Sequence, residues 1–242
     1  MTKENILFSI IGVLFGFSLG FVFVTIVNQR AAVPPVTASA SAPSQSVFDL
    51  PKTEGAGAPP ADGGNPQAMQ AAVQAVVKQA RDEPNNFDLQ MQAGQLFYQI
   101  SRYDEAIQFY SRANKLRPDD FKALVALGDT NFDARHYEEA ERWYTAALAK
   151  NPNDVNVRTD LGSSFMERNP PDVDRAIKEF RASLERDPRH EMTLHNLVLA
   201  LILKGDTAGA QETLKRLEEV NPNNPDLAGL RSKIEGLQTP AK

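Results

Sequence analysis

The chain has 242 residues, 42% of them hydrophobic and 24% charged, the composition of a polypeptide that folds. Its net charge of -5 and pI of about 5.3, with both signs interspersed, leave no basic footprint for a phosphate backbone, so nucleic acid is not an expected partner. With no cysteine, a disulfide framework, a thiolate zinc site and a cysteine nucleophile are all excluded.

After a tail of residues 1–5, residues 6–27 read ILFSIIGVLFGFSLGFVFVTIV without a charge. A helix of that length spans roughly 33 Å, enough for a hydrocarbon core of about 30 Å. A cleaved signal peptide has a shorter apolar core with small residues close behind it, and the nearest such site, Ala38-Ser39-Ala40, lies well beyond the run. The expectation is one uncleaved transmembrane helix. The terminal amine and Lys3 precede it and Arg30 follows. The positive-inside rule then places the N-terminus in the cytoplasm and the rest of the chain on the exported side, which is the periplasmic side if the membrane is a bacterial inner membrane. Gly12, Gly16 and Gly20 recur every four residues and would let a second helix approach closely, the pattern of self-association within the membrane.

Residues 28–66 are dominated by Pro, Ala, Ser and Gly and are expected to be a disordered linker with a reach of about 30–36 Å. Val47-Phe48-Asp49-Leu50 is the one apolar island in it. From 67 to 237 apolar residues fall at helical spacing, interrupted by Asn-Pro, Asp-Pro and Arg-Pro steps.

This last region repeats. Gly94, Gly128 and Gly162 are 34 residues apart, as are Ala106 and Ala140, Tyr110 and Tyr144, and Pro84, Pro118 and Pro152. Four units result: 87–120, 121–154, 155–190 and 191–224. The third is two residues longer because of an inter-helix turn, Arg168-Asn169-Pro170-Pro171-Asp172. A 34-residue period with small residues at the helix crossing and large ones facing the next unit resembles the tetratricopeptide-repeat (TPR) family. The resemblance implies an all-α, right-handed solenoid of helix-turn-helix units with stacking obligatory between them. Residues 67–82 match the second helix of a degenerate repeat, and 225–237, opening with Pro-Asp, match a capping helix. Two departures stand out. Asn131 replaces a large apolar residue, with Phe132 beside it as a substitute, and Val198 replaces the crossing glycine, which predicts slightly wider helix packing. Trp143, the only tryptophan, is expected to pack between second helices on the convex side.

In this family the first helix of each unit lines a concave groove. Carried onto this sequence, the groove residues are Asp88, Met91, Gln95 and Tyr98; Lys122, Val125, Asp129 and Phe132; Asn156, Thr159, Ser163 and Met166; and Met192, His195, Leu199 and Ile202. Such a mixed, methionine-bearing surface suits an extended peptide or an amphipathic helix, so the resemblance implies a protein or peptide partner and a scaffolding role. The Lys, Asn and Arg clamp with which chaperone-binding TPR domains hold a C-terminal carboxylate is missing; the matching positions include Met91, Gln95, Asp129, Asn156 and Asp160. A narrower resemblance, carried by residues 172–197, is to the membrane-anchored TPR subunits of bacterial cytochrome c maturation, which hold a polypeptide for a partner enzyme.

Catalytic chemistry is not indicated. No phosphate loop, nucleophile elbow or dinucleotide fingerprint is present. Asp129, Asp133 and His136 fall at helical spacing but read as groove-facing or solvated groups, and His190 and His195, five apart, do not share a helix face as metal ligands do. No metal and no cofactor are expected.

Overall fold

The computed structural model describes residues 66–238. The transmembrane segment 6–27, its glycines Gly12, Gly16 and Gly20, and all but the last residue of the linker lie outside them. Within the described residues no helix is long and apolar enough to cross a membrane.

Ten helices and no strand make up the described residues. They are α1 (Pro66–Asp82), α2 (Phe87–Gln99), α3 (Tyr103–Leu116), α4 (Phe121–Asp133), α5 (Tyr137–Lys150), α6 (Val155–Glu167), α7 (Val173–Arg186), α8 (Glu191–Lys204), α9 (Thr207–Val220) and α10 (Leu227–Gln238). Each even-numbered helix from α2 to α8 pairs with the odd-numbered one after it, and each pair packs on the next. α1 covers α2 as the second helix of an incomplete unit, burying Val73, Val77 and Ala80. α10 closes the other end on α8 and α9 through Leu227, Leu230 and Ile234.

The local signals recur with the period. Asn86, Asp120 and Asp154 cap α2, α4 and α6 by accepting from the backbone N–H groups of Leu89, Ala123 and Val157. At the fourth unit the cap is His190, which gives no such bond. Its ring reaches Thr193 Oγ1 at 2.6 Å and Asn156 Oδ1 at 3.0 Å instead. The turns closing the first helices of the first, second and fourth units each use one left-handed residue: Ser101 (φ 58°), Arg135 (φ 63°) and Gly205 (φ 78°). The next N–H returns to a helix carbonyl, Arg102 to Phe97, His136 to Asn131 and Asp206 to Leu201. In the third unit the two extra residues are absorbed without losing that bond, since Asp172 N–H donates to Phe165 O at 2.8 Å. The Asn169–Pro170 peptide there is cis.

The glycines mark where the helices of a pair cross. A Cβ on Gly94 would lie 2.6 Å from the Tyr110 ring, one on Gly128 2.5 Å from Tyr144, and one on Gly162 2.5 Å from Phe180. In the fourth pair Val198 takes the glycine's place and Leu214 the ring's. The larger residue on one helix is matched by a smaller one on the other, and both are buried. Asn131 stays in the core, its amide donating to Leu127 O at 2.7 Å; Phe132 does not replace it there, being only partly buried and set edge-on to Tyr137. Trp143 is partly buried against the core.

Candidate functional site

The first helices α2, α4, α6 and α8 share one face of the stack, and polar side chains cross between α2 and α4 and between α6 and α8. Tyr98 of α2 donates to Asp133 of α4 at 2.6 Å, and Asn196 of α8 donates to Ser163 of α6 at 3.1 Å. His190 and Asn156 join the start of α8 to α6.

Fourteen of the sixteen residues expected in the groove are partly or fully exposed. Met91 and Thr159 are not. Met91 is buried, and Thr159 is wholly enclosed in a hydroxyl cluster with Ser183 at 3.1 Å and Thr193 at 2.6 Å, its own Oγ1 also donating to Val155 O. A threonine whose hydroxyl is satisfied inside the seam between the third and fourth units holds the stack together and has no surface for a partner. Of the rest, Val125, Phe132, Met166, Leu199 and Ile202 are half-buried apolar side chains resting on the core, while Asp88, Lys122 and Asn156 are exposed. Met192 and His195 are half-buried, and His195 Nε2 lies 3.4 Å from Asp226 Oδ2 in the turn before α10.

The middle of this face is acidic. Tyr144 of α5 donates to Asp129 at 2.9 Å, and in the preceding unit Tyr110 donates to Gln95 at 3.1 Å, so the same tyrosine supports the same groove position twice. In the third unit Phe180 stands where the tyrosine would, and the groove residue Ser163 turns to Asn196. Asp129 is pushed up to about 7, first by burial and then by the charge of Asp133, with the Tyr144 hydrogen bond opposing. Asp160 of α6 is raised well above the ordinary carboxylate range by burial and by the negative charges of Asp129, Asp154 and Asp133. Asp129 and Asp160, two half-buried carboxylates with Asp129 adding its charge to the field at Asp160, resist full ionisation. No group of His, Asp and Glu arranged to hold a metal ion occurs among the described residues. Reasoning from the repeat pattern missed Asp133 and Asn196 as bridges between first helices. Their partners are 35 and 33 residues away, and only the stacked structure brings them together.

Family models described as tetratricopeptide repeat match residues 101–161 and 172–234, and a second matches 61–121. This chain belongs to the tetratricopeptide-repeat family. Among solved structures, the TPR region is similar to a fragment of MamA (41-end) from Desulfovibrio magneticus RS-1. That likeness has a TM-score of 0.60 and 21% identity, over 65% of this chain and 88% of that one. It is also similar to YrrB, titled a TPR protein with an unusual peptide-binding site, with a TM-score of 0.61 and 19% identity over 69% of this chain and 84% of that one. At these identities the likeness speaks for the TPR fold alone. No curated protein matches the chain.

Proposed function

We infer that this TPR protein is a non-catalytic, membrane-anchored adaptor that holds a segment of another polypeptide in the groove of α2, α4, α6 and α8. The observation that carries the reading is the groove's surface. Phe132, Met166, Leu199 and Ile202 offer half-buried apolar footholds along it, and carboxylates occupy its centre. Half-exposed apolar side chains on a preformed concave face are what an extended peptide or an amphipathic helix covers. The acidic centre favours a segment with Lys or Arg beside its apolar residues and opposes a free C-terminal carboxylate. Peptide binding has a precedent in YrrB, a TPR protein of similar fold with an unusual peptide-binding site. The apolar run 6–27 supplies the anchor, and the basic groups flanking it favour display of the groove on the outer side of the inner membrane.

A photo-crosslinking residue placed at Phe132 or Met166 in cells of the source organism tests this. The expected result is a discrete polypeptide adduct from both groove positions and none from exposed Glu138 on α5. Charge reversal by Asp129→Lys removes the adduct. Equal labelling from all three positions, or none from the groove, sinks the reading. Protease digestion of intact and of opened cells reports the side on which the repeats lie.

A further inference from the structure

A second site comes from comparing the repeats with one another on the face built by their second helices. In the first unit Phe109 of α3 stacks on Phe97 of α2, with ring centroids 5.5 Å apart, and the Arg112 guanidinium sits 5.1 Å over the Phe109 ring. The residue 34 positions on from Phe109 is Trp143. In the third unit, offset by the two-residue insertion, it is Glu179, which pairs with Arg158 at 2.8 Å. In the fourth it is Thr213, whose hydroxyl turns back to Gly209 O at 2.8 Å. Phe97 becomes Leu201 there, and Arg112 is kept as Arg216. Two rings are exchanged for smaller side chains while the cation remains.

The result is a cavity of about 300 Å³ between α7, α8 and α9. Leu184, Leu197 and Leu201 line it with apolar surface, Thr213 stands at the position that holds a ring in the first two units, and Arg181 and Arg216 contribute guanidinium groups. Glu185 and Glu212 balance those two cations, which disfavours a charged occupant. The volume is at the small end of ligand-holding pockets, suited to one side chain and not to a whole helix.

We propose that this cavity receives an aromatic side chain presented by a partner polypeptide, which takes up the place that Phe109 fills from within the chain in the first unit. The occupant is a ring because the ring-stacking cation is retained where the ring is lost. Among the described residues no ring is fully exposed, and the exposed large apolar ones, Leu203 and Leu237, are aliphatic, so this face of a second copy offers none. A Phe48→Ala chain that binds the indole no more tightly than the wild type assigns the ring to a partner polypeptide and not to the chain's own Phe48. The site is separate from the groove and does not depend on the groove's occupant.

The test uses the full chain in detergent, with methyl-labelled Leu and Thr, titrated with N-acetyl-tryptophanamide and, separately, N-acetyl-leucinamide. The expected result is saturable shifts at Leu197, Leu201 and Thr213 with the indole, and binding of the leucine amide weaker by about five-fold. Arg216→Gln weakens the indole about three-fold, the size of one exposed cation–π contact. Thr213→Trp fills the cavity, abolishes the shifts and raises the melting midpoint. Shifts confined to groove methyls such as those of Leu199, equal affinity for the two amides, or indole shifts that persist in a folded Thr213→Trp would each overturn the proposal. The wild-type titration stands whether or not that variant folds.

Discussion

The three crossing glycines do a job that no other residue can do at their positions, and the reason is distance. A methyl group on Gly128 would sit 2.5 Å from a ring carbon of Tyr144, a fully buried side chain that is itself tied to Asp129. Neither partner can yield without breaking that hydrogen bond or parting α4 from α5. Gly128→Ala is therefore expected to cost about 2–3 kcal/mol, read from denaturant unfolding. Gly229 in α10 is the control: a Cβ there meets nothing within 4 Å, and Gly229→Ala should stabilise by about 0.5–1 kcal/mol. Asp129 carries a different signature. Its folded-state pKa is raised from 3.8 to about 7, so its contribution to stability is fully present below pH 3.8 and is lost as pH rises through 7. Asparagine keeps an oxygen for the Tyr144 hydroxyl and cannot ionise. Asp129→Asn should then raise stability by about 1–2 kcal/mol at pH 8, less than the full shift implies because the group is partly exposed, and by almost nothing near pH 4. A variant that gains equally at both values would show that the carboxylate's charge is not what strains the groove.

Among the helices, the 34-residue period was readable because the same physical needs return at the same place: a glycine at the first three crossings, an Asn or Asp cap before the first helix of the first three units, a proline after each second helix. The sequence carries those needs locally, so the TPR repeat itself was legible before any coordinates. The seam between the third and fourth units was not. There the cap residue is His190, and Thr159, Ser183 and Thr193 satisfy one another's hydroxyls across three helices. Nothing in a period tells a groove threonine from a buried one when its partner lies 34 residues away. The exchange of glycine for Val198 was legible in the sequence, but its compensation by Leu214 in place of a ring, which involves two helices at once, was not. The turns between paired helices were visible only as polar breaks, yet they hold a testable strain. Arg135 sits at φ 63°, a conformation that costs a side-chain-bearing residue roughly 1 kcal/mol, and the equivalent turn before α9 uses glycine. Arg135→Gly should raise the unfolding free energy by about 0.5–1 kcal/mol, with the same sign for Ser101→Gly. A loss in both variants would mean that these side chains, and not the backbone, hold the turns.

At the scale of the whole repeat region, stability is a chain of neighbour contacts, since each helix pair packs on the next and α1 and α10 close the two ends. α10 extends the row of first helices and gives α8 and α9 an apolar cover in Leu227, Leu230 and Ile234, the last only 2% exposed. Its outward residues, among them Arg231, Lys233 and Glu235, are exposed and charged, which is how the stack ends without inviting another copy. Because no long-range contact ties α10 to the first units, damage at this end has nowhere to spread except through the seam at Thr193. Ile234→Ala should cost about 2–4 kcal/mol of local stability. Amide exchange should then quicken in α8, α9 and α10, fade across α6 and α7, and be unchanged in α2 through α5. The cavity proposed for an aromatic partner lies within the loosened end and the acidic groove centre largely outside it, so the same variant would weaken the first site while leaving a ligand of α2 and α4 in place. Uniform acceleration from α2 to α10 would instead show that the hydroxyl cluster couples the units into one cooperative block, and the two surfaces would then rise and fall together.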